Sequence, residues 1–234
     1  MSWLARWLEK RSELTAPQRQ RLDAWKGLSR AVLSIPFSGA RYVVVDVETS
    51  GLNLMEDRLI SIGAVAVVHG QIVLGDSFYV VLQQPASSNK ENILLHGIGG
   101  AAQAGGEPAS DALLAFLDYL GKDPLIAFHV TFDQTMIQRA LRRYLGISFR
   151  HPWLDMAYVM PALNPVLAAR YRSLDDWITH FGIRNDACHN ALADASVTAQ
   201  LLQVALAQAH NKNISDFAGL RDLEKAQRWV SGAD

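Results

Sequence analysis

Residues 42–52 read YVVVDVETSGL, so Asp46 and Glu48 stand one residue apart in a segment otherwise apolar enough for a buried strand. Side chains at i and i+2 of a strand face the same way, which brings the two carboxylates together with Cα atoms about 7 Å apart. Buried without partners, they would repel each other and drift toward the neutral form. Divalent cations that prefer hard oxygen ligands, Mg2+ or Mn2+, would relieve that conflict. Solvation at a strand end, or pairing with arginine, would relieve it without any chemistry. Taken alone, the segment leaves these alternatives open.

Two further segments bear on the choice. In AFHVTFDQTMI, Asp133 follows the short apolar run PLIAF (124–128) at the start of a helix. An acid there is also favoured by the helix dipole alone. In CHNALADAS, His189 and Asp194 are five residues apart, with Asp194 one turn into an alanine-rich helix. Its neighbours Ala193 and Ala195 are small enough to let that helix approach a sheet closely. A histidine near a helix start also serves as a cap or a surface residue.

Together, Asp46-x-Glu48, Asp133 and His189-x4-Asp194 resemble the DEDD superfamily of 3′→5′ exonucleases in its histidine-bearing, DnaQ-like branch. DVETSGL matches the family's first motif, Phe132-Asp133 the end of its second, and HNALADA its third. LLHGI, which contains His96, is similar to the family's His-Gly-Ile segment, and SLDDWITHFGI to the stretch before the third motif. The resemblance runs from about residue 41 to 209 with the motifs in the family's order. One position pair departs from it: the family often carries His-Asn where this chain has Phe128 and His129. His129 keeps a hydrogen-bonding group at the Asn position.

The resemblance implies a ribonuclease H-like fold and hydrolysis assisted by two divalent cations, Mg2+ or Mn2+. It implies that Asp46, Glu48 and Asp194 hold one cation or bridge the pair, and that Asp133 supports the second. His189 would be the general base. Thr49, Ser50, Gly51 and Leu52 would handle the terminal nucleotide, Leu52 as a wedge against the last base; His96, His129 and Phe132 complete the expected substrate contacts. The substrate would be a single-stranded or frayed 3′ end, DNA ahead of RNA, with nucleoside 5′-monophosphate released in a proofreading or repair role. The form of the first motif is closest to the DNA polymerase III epsilon-type domain. Two other readings stand beside this one, an RNA-trimming exoribonuclease of the same superfamily and a non-catalytic module that binds nucleic acid or a polymerase. A Cys188–His189 nucleophilic pair is disfavoured, because nucleophile and base normally meet across a fold rather than along the chain.

The positioning elements follow from pattern. Strands are expected at 41–47, 58–68 and 71–82, with His69-Gly70 as a tight hairpin turn. After a loop at 83–92 and a glycine-rich, mobile stretch at 94–110, Ser110 is expected to cap a helix through Leu120. A strand at 124–128 and a helix at 133–145 come next. Ser173 with Asp176 caps another helix, closed by Gly182. Helices are also expected from about 190 to 209 and, capped by Ser215, to about Trp229. Three strands followed by alternating helix and strand imply an α/β mixed sheet flanked by helices.

The N-terminal part adds helices at 2–12 and 16–30, the second with Thr15 as cap and Pro17 in its first turn, and SIPFSGAR as linker. The expected organisation is a helical basic extension (1–40), a DnaQ-like exonuclease domain (41–210) and a C-terminal helix (211–234). Residues 1–41 carry eight Lys/Arg against three Asp/Glu, while the rest carries fourteen against twenty. That asymmetry fits a solvated helical face or a contact with nucleic acid, a polymerase or a repair partner. Trp3, Trp7 and Trp25 read as packing. Half of the 234 residues are hydrophobic, enough for a sizeable core. No apolar run reaches 18 residues, the first residues lack a signal-peptide core, and the lone Cys188 excludes an internal disulfide. A cytoplasmic protein with no membrane contact, acting as a stand-alone or accessory nuclease, is the expectation.

Overall fold

The computed structural model of the chain describes residues 13–185 and 190–232. The expected helix at 2–12, Trp3, Trp7, Cys188 and His189 lie outside them. Among the described residues five strands form in chain order: β1 (Arg41–Thr49), β2 (Leu59–Val68), β3 (Gln71–Val81), β4 (Leu125–Ala127) and β5 (Trp153–Asp155). They lie in the order β3-β2-β1-β4-β5, antiparallel within the first three and parallel from β1 to β5. The helices are α1 (Ala16–Gly27), α2 (Lys90–His96), α3 (Gly100–Ala104), α4 (Ala109–Leu120), α5 (Val130–Ala140), α6 (Met156–Leu163), α7 (Leu174–His180), α8 (Ala191–Asn211) and α9 (Phe217–Ser231). A mixed sheet flanked by helices was the expectation, and it is what forms.

β1 is central, and its two faces enter different cores. Val43, Val45 and Val47 point toward α4 and α5, whereas Tyr42 and Val44 point toward α6, α8 and α9. Asp46 and Glu48 continue the Tyr42–Val44 face, so they sit where that apolar face runs out under the start of α8. The hairpin between β2 and β3 turns at His69 (φ +54°) and Gly70 (φ +75°), the double left-handed geometry of a two-residue hairpin. At the other end of β1, Arg41 pairs with Asp76 at 3.0 Å and Asp123 at 2.7 Å.

Several boundaries differ from the sequence expectation, each for a local reason. α4 starts at Ala109 because the Pro108 carbonyl already accepts the amides of Asp111 and Ala112, so Ser110 is inside the helix and not its cap. α9 is capped by Asp216, whose carboxylate accepts the Gly219 amide at 2.8 Å; Ser215 instead offers its carbonyl to Phe37. α5 begins three residues before Asp133 and passes into a π turn at Leu141–Leu145. The segments expected as a loop (83–92) and as a glycine-rich, mobile stretch (94–110) instead contain α2 and α3. A buried polar set holds them: Gln103 donates to Ser88 Oγ and the Ile98 carbonyl at 2.8 Å each, and Gln84 donates to the Leu59 carbonyl at 2.8 Å. β5 and α6 had no sequence expectation.

The N-terminal helix α1 is stitched to α4. Thr15 and Gln18 form a capping box at its start, which satisfies two otherwise orphaned amides. Gln18 then donates to Asp111, Arg21 to Asp118, and the Trp25 indole to the Gly121 carbonyl at 2.7 Å. The Trp25 ring stacks on Phe149 with 6.2 Å between centroids, and the Lys122 ammonium lies 3.1 Å above it. Leu28, by contrast, is half exposed and follows the helix in an extended conformation. Trp25→Ala is therefore expected to destabilise the whole fold by about 3 kcal/mol in urea denaturation. A loss below about 1 kcal/mol would show that α1 merely rests on the surface.

Candidate active site

Three of the expected residues converge. Asp46 and Glu48 from β1 and Asp194 from the first turn of α8 each offer a carboxylate oxygen, and these oxygens lie within 4.8 Å of one another. What brings α8 so close is Gly63, the residue paired with Asp46 across the β1–β2 ladder. A Cβ at Gly63 would overlap the backbone of Ala191 and Leu192. Only glycine lets the helix start lie directly on the sheet, and buried Ala191, Ala195 and Ala199 continue that close packing. A bulge between Glu48 and Thr49 ends the regular ladder just beyond the acids. The Asn185 side-chain Nδ2 donates to Asp194 Oδ1 at 2.8 Å, fixing the direction of that carboxylate.

Asp133 arrives from the other side, in the first turn of α5, and is 4% exposed. Its helix is entered through His129 in the left-handed conformation (φ +64°). Asn and His tolerate that conformation better than most residues, which explains why His can stand where the family often has Asn. The His129 amide donates to Asp155 Oδ1 at 2.9 Å, and the same oxygen accepts the Ala157 amide at 3.0 Å. Asp155 is itself buried and ion-paired with Arg228 of α9 at 2.9 Å. The turn that presents Asp133 thus rests on a carboxylate neutralised from the C-terminal helix.

The electrostatics follow from this crowding. Burial, then repulsion from Asp133, Glu48 and Asp194, pushes the Asp46 carboxyl well above the usual carboxylate range. Burial and then Asp194 push Glu48 up to about 7. Asp133 is also raised strongly, by burial first and then by Asp155 and Glu48, against hydrogen bonds from the backbone at Val47 and at Asp133 itself. All-oxygen, acid-rich sets of this kind fit hard divalent cations. The residues present therefore suit such an ion, and the trio of Asp46, Glu48 and Asp194 could hold one.

The remaining expected residues separate into exposed groups and parts of the framework. Leu52 projects into solvent at 84% exposure. Phe132 packs partly against the core, and His129 is exposed. The Thr49 hydroxyl donates to the Gly51 carbonyl and the Ser50 hydroxyl to Asp57 Oδ1, both at 2.7 Å, so these two hydroxyls shape their own loop. A Cβ at Gly51 would overlap the Asp57 carboxylate. His96 is not brought to the surface: it is 4% exposed, its Nδ1 accepts the Ile98 amide at 3.0 Å, and its Nε2 lies 3.5 Å from Ser88 Oγ. Asn92, one turn earlier on α2, donates to the Ser50 carbonyl. Sequence reasoning missed Gly63, Asp57, Asn92, Asp155 and Asn185; only the glycine interrupting an apolar strand was a visible signal.

The family model described as exonuclease matches residues 43–202, more than half of the chain and all of the acids above. The chain belongs to the exonuclease family. Its exonuclease domain is 29% identical over 165 residues to the PolC-type DNA polymerase III of Thermotoga petrophila, covering 70% of this chain and 12% of that one. It is also 29% identical over 188 residues to the DNA polymerase III epsilon subunit of Aquifex aeolicus, covering 80% and 91%. The chain therefore spans about an eighth of the PolC-type relatives and most of the epsilon relative. Among solved structures, E. coli Exonuclease I in complex with a dT13 oligonucleotide superposes with a TM-score of 0.62 at 19% identity, over 74% of this chain and 42% of that one. The same enzyme has been solved with single-stranded DNA in a zinc-bound form. At that identity the likeness concerns the fold. Among the described residues no helix is long and apolar enough to cross a membrane.

The raised carboxyls give a stability signature. For Glu48, between its ordinary value of 4.5 and about 7, the folded chain keeps a proton that the unfolded chain has released. Stability in chelator is therefore expected to fall as pH rises through that window, and Asp46 and Asp133 add to the same slope. Urea denaturation at pH 5 and pH 8 with EDTA checks this; a flat or rising profile would contradict it.

Proposed function

We propose that the chain is a 3′→5′ exonuclease that shortens single-stranded or frayed DNA from its 3′ end and releases nucleoside 5′-monophosphates. The observation that carries this reading is the convergence of Asp46, Glu48 and Asp194 within 4.8 Å, with buried Asp133 beside them. Two divalent cations, Mg2+ or Mn2+, would when bound neutralise the scissile phosphate and make water acidic enough to attack it. Asp46, Glu48 and Asp194 would hold one cation or be shared by the pair, and Asp133 would support the second. His189, next to Asn190 at the N-cap of α8, accepts the proton of the attacking water. The water oxygen bonds to phosphorus, the P–O3′ bond breaks, and the departing 3′ oxygen takes a proton from solvent, so the shortened strand is left with a 3′ hydroxyl.

The loop that follows β1 receives the terminal nucleotide. Its backbone at Thr49–Gly51 faces the sugar, and Leu52 wedges against the last base; Phe132 and His129 supply further contacts to the strand. His96 acts by shaping the turn after α2 rather than by touching the strand. Contacts to sugar, phosphate and base faces imply little sequence preference. DNA is favoured over RNA because the polymerase relatives are DNA polymerases and the structural neighbour holds a deoxyoligonucleotide. A proofreading or repair role fits those relatives, with the basic extension (1–40) as a contact for a polymerase or repair partner.

The test compares matched single-stranded DNA, blunt duplex DNA and RNA, each labelled at the 5′ end, with Mg2+ or Mn2+. Single-stranded DNA is expected to shorten stepwise from its 3′ end, faster than the other two, with release of nucleoside 5′-monophosphates. Asp46→Ala is expected to lower the rate by about 10³-fold or more. Internal cuts, attack from the 5′ end, or no release from any substrate would overturn the reading; RNA shortened fastest would move it to an exoribonuclease.

A further inference from the structure

The loop between β1 and β2 holds two large apolar side chains in water, Leu52 at 84% and Met55 at 82% exposure. Yet this loop is closely tied. Asp57 takes the Ser50 hydroxyl at 2.7 Å on one carboxylate oxygen and the Asn53 amide at 2.8 Å on the other. Asn53 accepts the Met55 amide on its side chain at 2.9 Å, and its carbonyl accepts the amides of Glu56 and Asp57. From outside, the Arg139 guanidinium of α5 reaches three carbonyls of the same loop: those of Leu54 and Asp57 through Nη1 and that of Met55 through Nη2.

Water would satisfy exposed carbonyls as well as arginine does, so these bonds add modest stability. What a planar guanidinium adds is a fixed position for the loop. Arg139 lies six residues beyond Asp133 on the same helix, about 9 Å along its axis. One rigid element therefore sets both a metal-site carboxylate and the loop that carries Leu52 and Met55. A tied loop that keeps two apolar side chains exposed directly after the strand carrying Asp46 and Glu48 suits an apolar planar ligand, and a nucleobase of a strand bound at those acids is such a ligand.

We propose that Arg139 is a positioning residue that holds Leu52 and Met55 as a preformed apolar lip, and that Met55 packs on a base of the bound strand. The inference rests on the nuclease reading above. Preorganisation removes the entropy of ordering the loop when the strand arrives. The lip contributes to binding of the strand, and the chemistry at the phosphate does not depend on it.

Steady-state kinetics on a 5′-labelled deoxythymidine oligomer and on bis(4-nitrophenyl) phosphate separate the two. The second substrate has a cleavable phosphodiester but no nucleobase. Arg139→Met is expected to raise KM for the oligomer about tenfold with kcat within about threefold, and to leave kcat/KM for the small diester unchanged. Met55→Ala shifts KM in the same direction, and the double variant is no worse than Arg139→Met alone, because both act through one lip. Arg139→Lys, which keeps the charge without the planar fork, falls between wild type and Arg139→Met and serves if the methionine variant does not fold. Equal losses on both substrates, or an unchanged oligomer KM in a folded variant, would overturn this inference alone. A wild-type chain inert toward both substrates would overturn the nuclease reading and this inference with it.

Discussion

Mutual repulsion among Asp46, Glu48, Asp133 and Asp194, with burial stripping the first three of water, is the interaction around which the other elements are arranged. Left to itself it would drive the acids apart or neutralise them by protonation. The chain resists the first outcome by placing each carboxylate on a regular element whose position is fixed elsewhere. β1 is buried on both faces along its apolar length, so Asp46 and Glu48 cannot turn outward without moving the central strand. Divalent cations would be the natural counterweight, with Asp46, Glu48 and Asp194 able to hold one.

The remaining positions make sense as restraints on that cluster. Gly63 admits the start of α8 and with it Asp194. Asp155 takes two backbone amides at the junctions of β4–α5 and β5–α6, and Arg228 from α9 neutralises it. That last contact comes from beyond residue 202, where the family match ends, so the C-terminal helix supports the site although it lies outside the matched region. Arg139 restrains the loop after β1 in the same spirit, by fixing backbone carbonyls rather than by touching the acids.

Local pattern placed the acids on their elements, and the resemblance of the three motifs, in order, to the DnaQ-like exonucleases singled them out as a site. Period-two alternation paired Asp46 with Glu48, a short apolar run announced Asp133, and an alanine-rich helix carried Asp194. His69-Gly70 was readable as a turn because two left-handed residues in a row leave few alternatives. What was not legible depends on contacts distant in sequence. β5 spans three residues, too short for any periodicity, and α6 contains Pro161. Helices α2 and α3 are short and held by Gln84, Ser88 and Gln103, whose pairing no local pattern announces. The Asp155–Arg228 pair joins positions 73 apart. Caps were misplaced at Ser110 and Ser215 because the first helical amides go to other acceptors, those of Asp111 and Ala112 to the Pro108 carbonyl and that of Gly219 to the Asp216 carboxylate.

The claim that metal charge relieves carboxylate repulsion is tested most directly by Asp46→Asn, which removes one charge and keeps the shape. Its melting temperature is to be compared with that of the wild type at pH 8, in EDTA and in millimolar Mn2+. The account predicts that the variant melts higher than wild type in EDTA and gains little from Mn2+, while the wild type gains several degrees. A wild type at least as stable as the variant in EDTA, with Mn2+ raising both equally, would contradict it.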